Sequence, residues 1–250
     1  MQRTGPSTAS TTLADNRRLV LDVLRTSGQL TRTEIGEASG LSPSATARIT
    51  SALEADRLIA REKLPSAGGR PAWRYRFTAE GRHLAGLRVQ GDGCRAALLT
   101  WDAAVVTRAE VLVDPATATA EDLLVATREC LAEIIAAGAE HGGAPVVVGV
   151  AVPCIVEQDG TVRAGAEVPW DGVPLGAQLS ATTDLPVLVE NDANALAYSE
   201  LTPGNGTASL AGLILGHGLG AGIISEGHLL RGAHASAGEI GYLLTSRDAL

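Results

Sequence analysis

The chain has 250 residues, 45% of them hydrophobic, and a formal net charge of −8. This length accommodates two domains. No apolar run approaches the roughly 18 residues that a membrane span requires, which excludes an integral membrane protein. Residues 1–12 are rich in Ser and Thr and lack the apolar core of a secretory signal, so we expect a disordered arm there. A cytoplasmic location follows from these two exclusions.

The charge is unevenly distributed along the chain. Residues 1–82 carry 13 Lys and Arg against 8 Asp and Glu, whereas residues 83–250 carry 7 against 20. The first part attracts polyanions and the second repels them. We therefore predict a DNA-binding domain over 13–80 and a second, acidic domain over 84–250.

The cysteines exclude two kinds of structure. Cys94, Cys130 and Cys154 are odd in number and widely spaced, which argues against a disulfide framework and against a zinc cluster. We predict that they are small buried side chains. Neither a metal nor a cofactor is expected.

Two helices and a tight corner are predicted near the N-terminus. The first helix runs from Leu13 to Leu24, and its apolar residues lie largely on one side: Leu13, Leu19, Val20, Val23 and Leu24. The second is amphipathic and is bracketed by Leu30, Ile35, Ala38 and Leu41. Gly40 supplies the sharp turn that a helix-turn-helix needs.

A third helix follows the corner and carries the residues expected to read DNA. Ser42 predicts its N-cap, and Pro43 suits its first position. Its apolar stripe consists of Thr46, Ile49, Leu53 and Leu58. Small side chains and one arginine suit a helix in a major groove, where Arg pairs with guanine; the candidates are Ser42, Ser44, Ala45, Ala47 and Arg48. An ordinary three-helix core with a solvated face is the alternative.

A β-hairpin with a basic, glycine-rich tip is predicted next. Leu58–Ala60 and the alternating Trp73, Tyr75 and Phe77 predict its strands, and residues 65–71 its tip. Arg70 at this tip is expected to reach phosphate or a minor groove, where a narrow groove favours guanidinium. Together with the helices, the hairpin predicts a winged helix-turn-helix.

The acidic part predicts an α/β domain, because strands of five to nine residues alternate with helices. The predicted strands are Leu84–Val89, Arg95–Trp101, Val105–Val113, Pro145–Pro153, Leu185–Glu190 and Leu210–Leu215. Helices are predicted over Thr119–His141 and up to Glu200. Pro145–Pro153 is almost continuously apolar, which is typical of a strand buried on both faces.

Polar residues follow the strand that ends at Glu190. Ligands of open α/β sheets gather at the carboxyl ends of strands. We expect Asp192 to accept a proton from a hydroxyl group and Asn191 to orient the same ligand. Alternatively, Asp192 caps the helix that begins with Ala193.

The glycine loop Gly216–Gly222 leaves two possibilities open. It can cradle a phosphate, or it can form a tight hairpin between two strands. Glu239, which lies between Gly238 and Gly241, adds an acidic residue near the expected ligand edge.

Three motifs in this order resemble the ROK family of repressors, open-reading-frame proteins and sugar kinases. They are VENDANALAYSE at 189–200, GHGLGAGIISEGHLLR at 216–231 and AGEIG at 237–241. The resemblance implies an actin-like, sugar-kinase ATPase-type domain, whose second lobe we expect to be incomplete because the chain ends at Leu250. With the winged helix, it implies the repressor branch, which binds operators and responds to sugars.

The resemblance also implies a sugar site. Asn191 and Asp192 match the sugar-hydroxyl and catalytic-base positions, and Glu239 matches a further sugar-contacting carboxylate. Glu167 stands close to a position where relatives have asparagine, and a carboxylate accepts hydroxyl hydrogen bonds but cannot donate them. The candidate sugar-binding residues are Glu167, Asn191, Asp192 and Glu239.

Other positions depart from the pattern of the family's kinases. Their Asp-x-Gly-Gly-Thr phosphate loop is replaced by Arg88, Gln90 and Asp92 at the aspartate, first glycine and threonine. Arg88 repels Mg²⁺ and Asp92 repels phosphate, so we predict no ATP binding, no enzyme activity and only a vestigial base at Asp192. Tyr242 replaces the first zinc-binding histidine, and no cysteine follows, so no zinc is predicted.

The leading hypothesis is a transcriptional regulator, with a repressor favoured, that binds a palindromic operator as a homodimer or higher homo-oligomer and responds to a sugar or sugar derivative. The second is an active sugar kinase that uses Asp192 as base and carries a DNA-binding module. The third is an interaction protein that binds neither sugar nor nucleotide.

Overall fold

The computed structural model describes residues 8–64, 73–78, 82–101, 103–163, 165, 167–201, 208–216 and 218–243. The chain divides into two compact units, Met1–Glu80 and Gly81–Leu250. No helix in the described part of the chain is long and apolar enough to cross a membrane.

The first unit combines three helices with a small sheet. Its elements are α1 (Thr8–Ser27), β1 (Gln29–Thr31), α2 (Arg32–Ser39), α3 (Pro43–Ala55), β2 (Ile59–Lys63) and β3 (Trp73–Phe77). The antiparallel sheet has the order β1-β3-β2. Its fully covered side chains form one core: Val20, Leu24, Ile35, Ile49, Leu53, Ile59 and Tyr75. This arrangement is the predicted winged helix-turn-helix.

Local sequence signals set the ends of α2 and α3. Thr31 and Glu34 form a capping box at the start of α2, and Gly40 ends it with a left-handed φ of 67°. The N–H of Ala45 donates to the Ser42 hydroxyl at 3.3 Å, so Ser42 is the predicted N-cap of α3. The corner between the two helices therefore forms as predicted.

The first helix differs from its prediction at one end and on one face. It begins at Thr8, inside the range predicted as a disordered arm. Leu13 and Leu19 are 43% and 38% exposed, because α1 contacts the core mainly through Val20 and Leu24, one turn apart. The predicted apolar side of α1 was therefore too wide.

Three smaller differences from the prediction lie within α2 and in the segments near it. Ala38 is exposed, not part of the core face of α2. Leu30 belongs to β1, a strand that the sequence analysis did not predict, where it pairs with Tyr75. Leu58 lies beyond the end of α3 and packs against the core from the connection to β2.

The second unit is a larger α/β structure. Its elements are β4 (His83–Gln90), β5 (Gly93–Thr100), β6 (Val105–Leu112), α4 (Ala120–Glu140), β7 (Pro145–Val152), α5 (Leu175–Thr183), β8 (Val187–Asn191), α6 (Asp192–Glu200), β9 (Leu210–Leu215), β10 (Leu219–Ser225), β11 (His228–Leu229) and a 3₁₀ turn (Ile240–Leu243). One sheet has the order β6-β5-β4-β7-β8, and a second has the order β11-β10-β9. Strands β4, β7 and β8 are parallel, and the remaining pairs are antiparallel.

Only one face of the five-stranded sheet is covered by the described residues. Helix α4 packs there through Leu131 and Ile134 against a core that includes Val148 and Val150. On the opposite face, Gly149 is exposed. The prediction that β7 is buried on both faces is therefore wrong for the described part of the chain. Helix α5, which was not predicted, packs on β8.

The start of α4 provides a testable stability contribution. Thr119 and Asp122 form a capping box, and the hydrogen bonds that Thr119 donates hold the pKa of Asp122 below its usual value. We expect Thr119→Ala to lower the free energy of unfolding by about 1 kcal/mol near pH 7.

The effect should depend on pH in a defined direction. Because the folded-state pKa of Asp122 is lowered, its contribution is present above the unfolded pKa and lost as pH falls through the folded value. Urea unfolding of wild type and Thr119→Ala near pH 7 and near pH 3 measures this. A difference between the two proteins that grows on acidification contradicts the assignment.

Candidate functional site

Helix α3 separates a buried face from an exposed one. Thr46, Ile49 and Leu53 are buried in the unit's core. Of the predicted DNA-reading residues, Ser42, Ser44 and Arg48 are exposed, whereas Ala45 and Ala47 are half-buried. The Ser42 and Ser44 hydroxyls lie 3.2 Å apart. Arg48 is thus the longest polar side chain among the candidates on this exposed face.

Sequence analysis missed the arginine that holds α3 in place. Arg32, the first residue of α2, donates from Nε to the Thr50 hydroxyl at 2.9 Å and from Nη2 to the Ser51 hydroxyl at 3.1 Å. Its guanidinium also lies 5.2 Å from the centre of the Tyr75 ring. Arg32 therefore links α3 to the wing sheet, and no local pattern indicates contacts so distant in sequence.

The strand β3 adds two further cations that the sequence analysis did not select. Arg74 and Arg76 are exposed, on the face of β3 opposite Tyr75. The alternation of aromatic and basic residues was the available signal, because neighbouring residues of a strand point to opposite faces. The predicted wing tip, residues 65–71 with Arg70, lies outside the described residues.

In the second unit, all four predicted sugar-binding residues line one cavity. Glu167, Asn191, Asp192 and Glu239 surround a volume of about 310 Å³, together with Tyr242. This volume lies at the lower end of the range of roughly 300–1,000 Å³ that is typical of small-molecule pockets. The chain brings to the cavity the carboxyl end of β8, the segment before α5 and the segment before the 3₁₀ turn.

Asn191 has a structural role at this cavity. Its Oδ1 accepts from the N–H of Asn194 at 3.1 Å, which makes Asn191 the N-cap of α6. Its Nδ2 donates to the carbonyl of Cys154 at 3.1 Å. The alternative in which Asp192 caps this helix is therefore wrong: Asn191 is the cap, and the helix begins one residue earlier than that alternative assumed.

Asp192 is a largely buried carboxyl group in an acidic surrounding. Its side chain is 14% exposed, and Oδ2 lies 4.0 Å from Nη2 of Arg88. Burial raises the pKa of Asp192, against the lowering effects of the hydrogen bond that the Ala193 N–H donates to it and of the charge of Arg88. Burial and the charge of Asp192 raise the pKa of Glu239 in the same way. Both groups therefore keep a proton more readily than ordinary carboxyl groups do. Each is a candidate acceptor for a hydroxyl donor when it is ionised.

The thiol of Cys154 is affected by the same cluster of carboxyl groups. Burial, followed by the charges of Asp192, Glu167 and Glu239, raises its pKa to about 12. Cys154 is therefore a neutral thiol at physiological pH and packs as a small apolar group at the cavity wall. All three cysteines are buried, as predicted.

The residues that replace the kinase phosphate loop lie at the β4–β5 hairpin. Asp92 forms an ion pair with Arg95 at 2.9 Å, and this hydrogen bond lowers the pKa of Asp92. Arg95 also contacts Glu110 at 2.7 Å. The negative charge of Asp92 thus has a partner within the chain, which the sequence analysis did not consider, and its repulsion of phosphate stays a prediction. Arg88 is directed to Asp192 instead.

The glycine loop after β9 forms a hairpin. Leu215 pairs with Leu219, and the N–H of Gly216 donates to the carbonyl of Gly218 at 2.9 Å. His217 lies outside the described residues. The hairpin that the sequence allowed is observed, whereas a phosphate-binding role of this loop is not tested by it, and Gly216 and Gly218 also line the cavity.

A second, larger cavity of about 1470 Å³ lies over the uncovered face of the five-stranded sheet. Its lining combines apolar residues with four arginines and four carboxylates, among them the ion pairs of Arg95 with Glu110 and of Arg231 with Glu190, and it includes Arg88 but not Asp192 or Glu239. We place the candidate ligand site in the smaller cavity because convergent polar groups, more than volume, identify a specific site. Among the described side chains, no group of His, Cys, Asp and Glu is arranged to hold a metal ion.

Two family models match the chain. Residues 84–249 match the ROK family, and residues 13–66 match the MarR family. Among curated proteins, the chain is 41% identical over 98 residues to the xylose repressor of Caldicellulosiruptor bescii, which covers 38% of this chain and 25% of that protein. It is 36% identical over 135 residues to the N-acetyl-D-glucosamine kinase of Escherichia coli, which covers 53% of this chain and 45% of that protein.

A glucokinase of Halalkalibacterium halodurans is 36% identical over 99 residues, or 38% of this chain and 30% of that protein. The chain thus spans less than half the length of these curated relatives. A similar crystal structure is that of a ROK family glucokinase from Streptomyces griseus in complex with glucose and AMPPNP. It has 30% identity and a TM-score of 0.57, and the match covers 67% of this chain and 52% of that one.

The structural likeness extends over both units in one further case. A ROK family transcriptional regulator, a homologue of the E. coli MLC protein, matches with a TM-score of 0.78 and 24% identity, covering 92% of this chain and 59% of that one. At this identity the likeness concerns the fold. The family models, the motifs and the folds agree: the chain belongs to the ROK family and carries an N-terminal winged helix-turn-helix of the MarR type.

Proposed function

We propose that the protein is a DNA-binding transcriptional regulator, acting as a repressor, whose ROK domain binds a sugar or sugar derivative. The observation that carries the proposal is the presence, in one chain, of an exposed α3 face with Arg48 and a separate cavity lined by Asp192 and Glu239. The similarity to a xylose repressor, over 38% of the chain, supports the same conclusion.

The first unit has the features required for DNA binding. Ser44 and Arg48 are exposed on α3, and an arginine in a major groove pairs with guanine through two hydrogen bonds. Arg70, at the predicted wing tip, is proposed to contact phosphate or the minor groove. Helix-turn-helix proteins bind pseudo-palindromic sites as dimers, so we propose a homodimer on a palindromic operator.

The cavity suits a ligand that is rich in hydroxyl groups. Glu167, Asp192 and Glu239 are acceptors when ionised, and sugar hydroxyls are donors. Hydrogen bonds to charged groups contribute about 1.5–3 kcal/mol each. Asn191, whose amide atoms hold the start of α6, positions the neighbouring Asp192 and is not itself the main ligand contact.

We propose that the ROK domain is not an enzyme. The guanidinium of Arg88 lies 4.0 Å from Asp192, so the chain's own cation is next to the candidate base. A divalent cation at a similar distance from Arg88 would meet repulsion on the order of 4 kcal/mol per unit charge before screening, at an effective dielectric constant near 20. Sugar binding without phosphoryl transfer is the consistent outcome.

Gel-shift titration tests the regulatory proposal. The protein is incubated with DNA from upstream of its own gene, alone and with D-glucose, N-acetyl-D-glucosamine or D-xylose. We expect binding of the DNA, and its release by at least one sugar, because an effector shifts an equilibrium only by binding one state more tightly. A DNA complex that no sugar changes contradicts the effector role.

The variant Asp192→Asn tests sugar binding by the second unit separately from DNA binding by the first. It replaces one charged acceptor by a neutral one, so calorimetry is expected to show sugar binding that is weaker by a factor of up to roughly ten. Its DNA affinity without sugar should remain that of wild type. Asp171→Asn, at an exposed carboxylate of the same unit, is the matched control.

A sugar kinase is the second candidate, favoured by the position of Asp192 at the carboxyl end of β8 and by the similarity to two sugar kinases. A coupled assay of ADP release with ATP, Mg²⁺ and the same three sugars distinguishes the two functions. Turnover that Asp192→Asn abolishes would establish the kinase and refute the non-enzyme proposal.

A further inference from the structure

Arg88 occupies an unusual place in the α/β unit. It lies on the exposed face of β4, with its side chain 50% exposed, and its guanidinium nevertheless reaches the largely buried Asp192 at 4.0 Å. The two residues are far apart in sequence and belong to elements separated by β7. The contact therefore depends on how the side chain crosses the sheet.

The sheet register explains how Arg88 reaches Asp192. Arg88 is the neighbour of Ala151 on β7, and Ala151 is the neighbour of Glu190 on β8. Because the intervening side chain is a methyl group, the long arginine side chain can extend over β7 toward the end of β8. A larger residue at Ala151 would occupy this path.

The other acidic residue at this sheet edge has its own partners. Glu190 forms an ion pair with Arg231, and it accepts hydrogen bonds from the Asn194 amide at 3.0 Å and the Asn191 N–H at 2.9 Å. Among the ion pairs of the described residues, Asp192 is paired with Arg88. The two arginines thus serve two different carboxylates.

We propose that Arg88 is a positioning residue of the ligand cavity, which crosses β7 above Ala151 to keep the Asp192 carboxylate charged and directed toward the ligand. This inference rests on the proposed function, since the ligand is the proposed sugar. Arg88 stands where the family's kinases have the aspartate of their phosphate loop. The same replacement that removes this acidic residue supplies a counter-ion for Asp192. The cavity keeps its hydroxyl acceptor without a metal or a nucleotide.

Arg88 can influence the ionisation of Asp192 because the groups around this carboxylate have opposing effects. Burial and the charge of Glu167 oppose the ionisation of Asp192, whereas the N–H of Ala193, which donates to its carboxylate, and the charge of Arg88 favour it. Glu239 is a further acidic neighbour, and the charge of Asp192 raises its pKa. Cys154, which also faces this group, is a neutral thiol. Without Arg88, the carboxyl group is expected to hold its proton to higher pH, and a protonated group presents an O–H donor in place of one of its acceptor sites for hydroxyl donors.

Carboxyl ¹³C NMR titration of the full chain tests the inference without any ligand. The Asp192 signal is assigned by its loss in Asp192→Asn. We expect its titration midpoint to move to higher pH in Arg88→Met and to return toward the wild-type midpoint in Arg88→Lys. Arg108→Met removes an exposed arginine on β6 of the same sheet, and should leave the midpoint unchanged. A wild-type midpoint in Arg88→Met overturns the inference.

Sugar binding as a function of pH supplies the second readout. For a sugar among D-glucose, N-acetyl-D-glucosamine and D-xylose that binds wild type, Arg88→Met should bind roughly fivefold more weakly near pH 5 and equally well near pH 8. A loss that is the same at both pH values indicates a structural role and overturns the inference. If no sugar binds, the proposed function fails, and the carboxyl titration still decides the role of Arg88.

Arg88→Gln provides a second test of the charge effect in case Arg88→Met does not fold. It keeps a polar side chain without the charge, so it should reproduce the midpoint shift of Arg88→Met. A shift in Arg88→Met that is absent from Arg88→Gln would mean that packing, not charge, is responsible, and would overturn the inference.

Discussion

Replacing Arg48 by Ala is expected to weaken binding to the upstream DNA of the protein's own gene by roughly tenfold to a hundredfold. The side chain is exposed near the middle of α3, where it can pair with a guanine, and such a bidentate contact contributes about 1–3 kcal/mol of discrimination. Gel-shift titration at one fixed salt concentration measures the loss, because the salt concentration strongly affects all such affinities.

The control for Arg48 is an arginine elsewhere in the same unit. Arg18 lies on α1 with its side chain 85% exposed, so Arg18→Ala removes the same charge without touching α3 and should retain near-wild-type affinity. Arg70→Ala tests the wing; if Arg70 contacts phosphate, binding weakens on all sequences and the salt slope falls by about one. Undiminished binding by both Arg48→Ala and Arg70→Ala would refute the roles assigned to them.

Features that depend on a few neighbouring residues could be predicted from the sequence. The Ser42 cap and the Gly40 corner formed as expected because each is fixed by local backbone geometry and one hydrogen bond. The long strands and helix α4 were also found, since their apolar periodicity extends over many residues. Strand β1 was missed because three residues carry too little periodic signal.

Contacts between distant parts of the chain could not be predicted in this way. The pairing of Arg88 with Asp192 depends on the side-by-side arrangement of β4, β7 and β8, and on the small residue Ala151 between them. The compensation of Asp92 by Arg95 was missed for a different reason. A position-by-position match to the kinase loop considers each residue alone, whereas Asp92 and Arg95 are partners within one hairpin.

The candidate site illustrates both cases. Glu167, Asp192 and Glu239 were selected from separate motifs, and the fold places them around one cavity because strand ends and loops converge at the same edge of the sheet. Their role in sugar binding stays a prediction. Sequence alone does not distinguish Asn191 from Asp192 as the helix cap, since both residue types are favourable N-caps.

Gly93→Ala is expected to destabilise the α/β unit by about 3 kcal/mol or more. Gly93 begins β5 with φ of +130°, a conformation that side chains rarely adopt. An added Cβ would also overlap the carbonyl oxygen of Val111 and lie 2.9 Å from Cα of Leu112, both on the neighbouring strand β6. Backbone atoms of a paired strand cannot move aside without breaking the sheet, so the strain and the overlap add.

Substitutions at two other glycines distinguish the cost of a positive φ from the cost of the overlap with β6. Gly142 has φ of +94° and open space around the added Cβ, so Gly142→Ala should cost only the conformational strain, about 1 kcal/mol. Gly86 lies within β4, has no positive φ and makes only an ordinary contact at 3.7 Å with Leu99, so Gly86→Ala should not destabilise the unit and should stabilise it by up to about 1 kcal/mol. Urea unfolding of the three variants measures the series. If Gly93→Ala were no less stable than Gly142→Ala, the close packing of β5 on β6 would be wrong, and with it the position of the hairpin that carries Arg88 and Asp92.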